Sequence, residues 1–353
     1  MTKIALITDT HWGVRNDNTA ILDMSKRFLD DVFFKELDKQ DIKHIIHLGD
    51  LVDRRKQINI QTAKRLREDF IIPILERNID YHQILGNHDV YYKSTNKVNA
   101  VQEMYGELIS WYDTATELTI NDIPLLLVPW ICSDNKDESY KAIQASRSNF
   151  CLGHLEIIGF EMYRGSISTH GDSRNLFDKF DLTLSGHYHH KSTDGSIHYL
   201  GSHGQFTWSD YGDERGFHIL DLNTRGLTFY ENPYKMFTKV HYDDESKTLN
   251  ELMDYNFDLC KSTYVKVIVR NKTNPYWFDK FCERIEKVGV IDMQIVDDHL
   301  NLNLEDDSDI VNEAESTIDI FRKHIAKLPQ ANFNKTKLET LVVELYNQAL
   351  TVE

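Results

Sequence analysis

Five short motifs in this 353-residue chain combine side chains that can hold cations and move protons. In order they are Asp9-Thr10-His11, Gly49-Asp50-Leu51-Val52-Asp53, Gly86-Asn87-His88-Asp89, Gly153-His154 and Gly186-His187-Tyr188-His189. Carboxylate, amide and imidazole groups together make the mixed oxygen and nitrogen donor set that suits manganese, iron or zinc. The lack of cysteine among them argues against a purely structural zinc site. A single histidine at the end of a strand is more often structural than a ligand. Five such motifs in order carry far more weight than any one of them.

Each motif directly follows an apparent strand. Residues 3–8, 44–48, 81–85, 125–130, 150–153 and 182–185 are compact apolar runs that stop at polar residues. Between the early runs lie helix-length segments, 23–39 and 61–77; the first carries Met24, Phe28, Val32 and Leu37 at helical spacing. This alternation predicts an α/β layered fold. In open α/β sheets the loops at the carboxyl ends of strands converge on one crevice. Asp9, His11, Asp50, Asn87, His154, His187 and His189 can therefore meet in one pocket, with Gly49, Gly86, Gly153 and Gly186 permitting the tight turns. Residues 198–200, 217–222 and 227–230 read as consecutive antiparallel strands at a sheet edge or in a second sheet. Residues 96–112 carry Val98, Val101, Met104, Tyr105 and Leu108 at helical spacing, as core or as part of a homodimer face.

Asn232-Pro233 and the polar run 243–247 mark a boundary. Beyond it a strand (264–269), a helix (275–287) and a strand pair (293–296 and 300–304) form a small α/β unit. Two helical patterns, 310–326 and 335–350, close the chain. In the second, Leu338, Leu341, Val342, Leu345 and Tyr346 fall on one apolar stripe, facing either a partner or their own domain.

Composition sets outer limits. With 41% apolar residues the chain can bury a substantial core. Its opening residues lack the pattern of a secretory signal, and no apolar run reaches the roughly 18 residues of a membrane span, so a cytoplasmic location without membrane contact is expected. Cys132, Cys151, Cys260 and Cys282 form no CxxC pair and read as reduced, buried thiols. The net charge of −16 is uneven: residues 241–353 carry 22 acidic and 13 basic side chains. That weakens a simple basic glove for a polyanion without excluding a local patch. Arg54, Arg55, Lys56, Lys64, Arg65 and Arg67 form one basic cluster, suited to phosphate contacts or to a solvated helix face. His170, His190, His203 and His218 stay outside the candidate ligand set.

The motif order DxH…GDxxD…GNHD…H…GHxH resembles that of the calcineurin-like metallophosphoesterases. The resemblance implies a four-layer αββα metallophosphoesterase domain over residues 1–240, a small α/β capping domain over 241–306 and a C-terminal helical segment over 307–353. Carried across residue by residue, Asp9, His11 and His189 would hold one divalent metal ion, and Asn87, His154 and His187 a second. Asp50 would bridge them. Two such ions clamp phosphoryl oxygens and generate hydroxide near neutral pH. His88, beside Asn87, is the candidate catalytic proton donor to the leaving oxygen, with the Asp53 carboxylate set against it. Pairing of Asp53 with Arg54 or Arg55 is the alternative.

That fold serves protein phosphatases, cyclic-nucleotide phosphodiesterases and DNA nucleases alike. Arg54-Arg55-Lys56 lacks the Arg-Gly that follows the second motif in the phosphatases. Gly201-Ser202, Phe206, Glu214-Arg215-Gly216 and Asp221 resemble a stretch of the nuclease subunits of SbcCD and MRE-eleven/RAD-fifty type complexes, the T-even phage branch above all. Arg215 stands where lysine is usual, and Asp53 is as in the bacterial branch. The resemblance implies a Mn²⁺-dependent 3′-to-5′ exonuclease on double-stranded DNA with single-strand endonuclease activity. It further implies a homodimer partnered by an SMC-like ABC ATPase that docks on residues 307–353. The competing readings are a phosphomonoesterase or cyclic-nucleotide phosphodiesterase, and a DNA-end-binding scaffold without catalysis. The 241–353 appendage argues against the first, and the full ligand set against the second.

Overall fold

In Lys3–Ile7 (β1), Ile4 and Leu6 are buried among one set of apolar neighbours and Ala5 and Ile7 among another. A strand covered on both faces belongs inside a layered fold. The computed structural model describes residues 2–163, 165–297 and Leu338, and it shows those layers. The chain divides into two units, Met1–Leu302 and Asn303–Glu353.

β1 pairs in parallel with His44–His47 (β2), β2 with Asp80–Ile84 (β3), and β3 with Ser110–Tyr112 (β4). The second sheet holds Thr116–Ile120 (β5), Ile123–Val128 (β6), Phe150–Gly153 (β7), Leu182–Ser185 (β8), Ser192–Asp194 (β9) and Ile197–Tyr199 (β10). Its spatial order is β9-β10-β8-β7-β6-β5. Gly216–Asp221 (β11) and Gly226–Glu231 (β12) then return to the first sheet, giving the order β12-β11-β1-β2-β3-β4. The 198–200 run is therefore not an antiparallel neighbour of the 217–222 run. β10 lies parallel to β8, whereas β11 lies antiparallel to β1 in the other sheet.

Ile4, Leu6, Ile46 and Ile84 of the first sheet meet Leu125, Leu127, Leu152 and Leu184 of the second in one apolar core. The other face of the first sheet packs on Phe28, Phe33, Leu37, Leu66 and Phe70 from the helical layer. Ile143, from the helix Lys136–Ala145, joins Leu126, Cys151 and Phe177 on the far side of the second sheet. The result is the αββα stack.

The helix expected over 23–39 runs from Thr19–Phe28 through a five-residue π turn, Leu29–Phe33, into Phe34–Gln40. That expected over 61–77 runs through Ile60–Leu66, a π turn at Arg67–Ile71 and Ile72–Glu76. Pro73 accounts for the second widening, because its ring would clash with the carbonyl four residues back in a regular helix. Residues 96–112 are helical only at Ala100–Tyr105. Val101 and Tyr105 enter the core, whereas Val98 and Leu108 remain exposed. All four cysteines are buried thiols. Among the described residues no helix is long and apolar enough to cross a membrane.

A third, all-parallel sheet joins Phe237–Asp243 (β13), Tyr264–Asn271 (β14) and Asp292–Asp297 (β15). The helix Pro275–Lys287, capped by the Asn274 side chain, packs Phe278, Phe281 and Ile285 on Tyr242, Val265 and Val267. This sheet begins at Phe237, so a boundary at residue 241 falls within its first strand. Asn18 Nδ2 donates to Tyr264 Oη at 2.6 Å, and Val14, Ile21 and Met24 pack with Met236 and Phe237, tying this sheet to the start of the chain. The expected strand at 300–304 and helices at 310–326 and 335–350 lie outside the described residues, as does the apolar stripe apart from Leu338.

Candidate metal centre

Three parallel strands of one sheet and two of the other point their carboxyl ends the same way, and the five motifs leave from those ends. Beyond the strands the first two loops stay zipped together. Asp9 N–H donates to the Gly49 carbonyl at 3.0 Å, His11 N–H to Asp50 at 3.1 Å and Trp12 N–H to Leu51 at 2.9 Å. The fourth and fifth loops are linked by Gly186 N–H to the Gly153 carbonyl at 3.0 Å. Across the two sheets, His187 N–H donates to the Asp9 carboxylate at 3.1 and 3.2 Å.

This convergence puts backbone under strain. Asp9, His11, Asp50 and His187 all take positive φ, of 49°, 42°, 55° and 87°. Such conformations cost non-glycine residues about 1–3 kcal/mol each and gather at functional sites. Two glycines are dictated by the same crowding. At Gly49, φ is 98° and a Cβ would lie 2.3 Å from His154 Nδ1; at Gly86 it would lie 2.1 Å from Asp50 Oδ1.

The structure brings all seven candidate ligands together. His11 Nε2 and His189 Nε2 face each other at 2.9 Å, with Asp9 Oδ1 3.9 Å from His11 Nε2. On the other side, Asn87 Oδ1 lies 2.9 Å from His154 Nε2 and 3.0 Å from His187 Nδ1. Asp50 Oδ2 sits between the two groups, 3.6 Å from His11 Nε2 and 3.3 Å from His154 Nε2. Lone-pair atoms facing one another at such distances form a cradle for cations. Two carboxylates, an amide oxygen and four imidazoles, with no thiolate, fit a pair of divalent ions. His187 Nε2 is buried without a hydrogen-bond partner, so nothing but its ring packing fixes that side of the imidazole.

His88 stands at the rim, its ring 4.9 Å from that of His11 and edge-on to it. Its N–H donates to Asp50 Oδ1 at 2.7 Å, and its Nδ1 meets the Asp53 carbonyl oxygen. A carbonyl can only accept, so that contact fixes the hydrogen on Nδ1. The Asp53 carboxylate lies near both rings: one of its oxygens, a His11 ring nitrogen and a His88 ring nitrogen all fall within 4.8 Å of one another. It reaches His11 Nδ1 at 3.5 Å, where a carboxylate orients a ligand imidazole.

Charge is unevenly held. Burial opposes a positive charge on His154, but Asp50 beside it outweighs burial and raises its pKa to about 9. Burial and the neighbouring His154 charge drop His187 to about 3, leaving it neutral. Burial raises the Asp9 carboxyl above its ordinary range.

Several supporting residues were not assigned roles by motif reasoning. The Asp89 carboxylate, fully buried, accepts N–H groups from Asp50 (2.9 Å), Leu51 (2.8 Å), Val52 (3.1 Å) and Gly86 (2.8 Å). Its place in the third motif was the available signal. Arg55 Nε donates to the Asn87 carbonyl at 2.7 Å, so one member of the basic cluster holds a ligand loop. Arg215, also buried, donates to the His189 carbonyl, to Ser202 Oγ at 2.8 Å and to Asp210 Oδ1 at 2.7 Å. Beneath the first motif, His47 Nε2 meets Thr10 Oγ1 at 3.0 Å. The histidines outside the ligand set have other partners: His190 pairs with Asp213 at 2.9 Å, and His203 Nε2 meets Ser25 Oγ at 3.0 Å.

Two predictions follow from this geometry. His154 is protonated near neutral pH without metal, so a cation must expel that proton to gain its lone pair. Calorimetric titration with Mn²⁺ in buffers of different ionisation enthalpy is expected to show release of about one proton per protein. Affinity should rise with pH toward about 9. A buffer-independent enthalpy would overturn this account. Asp89→Asn keeps every candidate ligand but turns an amide N–H₂ toward backbone donors. It is expected to weaken Mn²⁺ binding by about 10–100-fold; parental affinity would show that the carboxylate does not brace the loops.

Residues 2–191 match the family model described as calcineurin-like phosphoesterase. The chain is 29% identical over 333 residues to "Exonuclease subunit 1" of Enterobacteria phage T4, covering 93% of each protein. It is 23% identical over 260 residues to a subunit of the SbcCD nuclease of Staphylococcus saprophyticus, covering 64% of this chain and 67% of that one. A solved archaeal phosphodiesterase aligns over 65% of this chain and 99% of its own at 13% identity, with a TM-score of 0.33. With more than half its length matched and the motifs gathered at one crevice, the chain belongs to the calcineurin-like phosphoesterase family.

Proposed function

We propose that this protein is the nuclease subunit of a DNA recombination or repair complex, hydrolysing phosphodiesters with two divalent ions, manganese first among them. One observation carries the reading: the seven ligands form two groups joined by Asp50, with His88 at the rim. Relatives named as exonuclease and nuclease subunits, one of them matched over 93% of both chains, support DNA as the substrate.

Asp9, His11 and His189 would hold one ion, Asn87, His154 and His187 the other, and Asp50 both. When bound, the pair would supply Lewis-acid charge to the phosphoryl oxygens and a nucleophile near neutral pH. His88 keeps its Nδ1 hydrogen on the Asp53 carbonyl, so Nε2 is the nitrogen that would pass a proton to the substrate. An imidazolium there donates a proton to the departing oxygen or holds the phosphate. Asp53 contributes twice, through its carbonyl to His88 and its carboxylate to His11.

In this reading the nuclease domain expected over 1–240 ends where β13 begins at Phe237, the capping domain expected over 241–306 starts with that strand, and 307–353 is the docking segment for an SMC-like ABC ATPase. The partner subunits implied by the names of both relatives support a complex of this kind. The expected activities are 3′-to-5′ exonuclease on duplex DNA and endonuclease on single strands. A homodimer in the cytoplasm completes the proposal, with exposed Val98 and Leu108 available to its interface.

The test is a panel of end-labelled duplex DNA, single-stranded circles and p-nitrophenyl phosphate in Mn²⁺, Mg²⁺ and EDTA. Cleavage of both DNAs in Mn²⁺ and none in EDTA is expected. Robust monoester turnover without DNA cleavage would replace the nuclease by a phosphomonoesterase. Within the same assay, His88→Ala should retain Mn²⁺ and lose about 10²–10⁴-fold in rate, whereas Asp50→Asn should lose metal and activity together. Parental cleavage by His88→Ala would remove its proposed role.

A further inference from the structure

Trp130, whose ring packs near the candidate ligands His187 and His154, also lines a cavity of about 380 Å³ together with Ile131, Ser133, Lys136, Glu156 and Asp172, among others. Trp130 forms the wall nearest the metal centre. Its ring centroid lies 5.2 Å from that of His187 and 6.3 Å from that of His154. The strand just before it, β6, is buried in the two apolar cores, yet Trp130 is half-buried and packs with neither. Its backbone is pinned at both ends. Trp130 N–H donates to the Leu85 carbonyl at 2.8 Å, and its own carbonyl accepts from Asn96 Nδ2 and Asn135 Nδ2, each at 3.0 Å. The backbone that carries a large indole is thus fixed beside two candidate ligand imidazoles, and the indole joins neither core.

Beside Ile131 and Cys132, the lining carries the polar groups of Ser133, Lys136, Glu156 and Asp172. The Asp172 carboxylate accepts the Tyr140 hydroxyl, and Lys136 Nζ stands 5.3 Å from the centre of the Tyr140 ring. An aromatic wall, two carboxyl groups and one ammonium in a space of this size match a small-molecule site, where a few polar groups orient a flat apolar body. A nucleobase has that chemistry. Its π face can stack on indole, and the ring or exocyclic N–H groups that every base carries on its edge can donate to carboxyl oxygens. A phosphomonoester with a small leaving group would leave the wall unused.

We propose that Trp130 and this cavity form a nucleobase subsite, in which the base of the nucleotide whose phosphate meets the metal ligands stacks on the indole with its edge toward Glu156 and Asp172. The inference rests on the nuclease reading and deepens it. A base must leave its stack to enter, which is easiest at an unpaired or terminal nucleotide. Stacking on an aromatic side chain replaces what is lost and tolerates any base, because every base has a π face. The subsite therefore recognises the presence of a base and not its identity.

The experiment compares duplexes whose 3′-terminal nucleotide is either intact or abasic, cut in Mn²⁺ by the parental protein, Trp130→Phe and Trp130→Leu. In the parental protein and in Trp130→Phe the abasic end is expected to lower kcat/KM about tenfold. In Trp130→Leu the intact end should fall to the abasic rate, so that the ratio approaches unity. A parental protein indifferent to the missing base would overturn the subsite, and this arm needs no variant to fold. So would a Trp130→Leu protein that keeps the tenfold preference. If the parental protein cuts neither duplex but turns over p-nitrophenyl phosphate, the nuclease reading falls and the subsite with it. DNA cleavage blind to the base removes the subsite alone.

Discussion

Four backbone N–H groups from two loops end on one buried carboxylate, that of Asp89. The loops carry Asp50 and Asn87, so the candidate bridging residue and a candidate ligand of the second group are set by a single side chain outside both groups. A buried carboxylate is costly unless its oxygens are satisfied. Here they are, and in satisfying them the protein fixes the turn after β2 against the turn after β3. Asp50 is thereby held at positive φ with its carboxylate between His11 and His154. The strain at Asp9, His11 and His187 is braced in related ways, by the zipped first and second loops and by the Asp9 carboxylate on His187 N–H. The order of support runs inward: apolar sheets position loops, buried polar groups lock loops, and locked loops present ligands.

Much of that order can be read from residue types. Runs apolar on both faces required a two-sided layer, and motifs at their ends required a shared crevice. What periodicity cannot encode is direction. Nothing in the spacing of Asp53 says that its carboxylate reaches His11 as well as His88 while its carbonyl meets His88 Nδ1, because only the loop's path sets where each atom lies. Strand pairing is hidden for the same reason. The 198–200 and 217–222 runs look alike as apolar segments, yet they sit in different sheets. The stretch 96–112 shows the opposite failure: helical spacing alone cannot exclude two short strands flanking one helical turn and a half.

Arg215 and Trp130 mark the limit more sharply. By residue type alone, Arg215 is only a departure from lysine. Its guanidinium spreads over the His189 carbonyl, Ser202 and two aspartates, a set of partners that suits a planar, multi-donor group better than an ammonium. Trp130 gave no signal at all, since one tryptophan at the end of a buried strand reads as core.

Charge supplies the last step. The basic cluster beside the second motif looks like a phosphate grip, but its members are largely engaged within the protein. Arg54 pairs with Asp17, Arg65 with Asp23 and Asp69, and Arg55 with the Asn87 carbonyl, while Lys64 lies 3.8 Å from Glu68. Of these, Arg55 holds the Asn87 loop, whereas the Arg65 and Lys64 pairs lie on the helical layer, and each pairing offsets a positive charge that would otherwise act on a phosphate. A chain of net charge −16 that uses its arginines this way has little long-range attraction for a polyanion. Bound divalent ions would then be the largest positive charges in the crevice, so substrate capture and catalysis would depend on the same pair of sites. On such a surface a base held by stacking adds affinity without adding charge, and a partner protein can provide the rest of the grip on DNA.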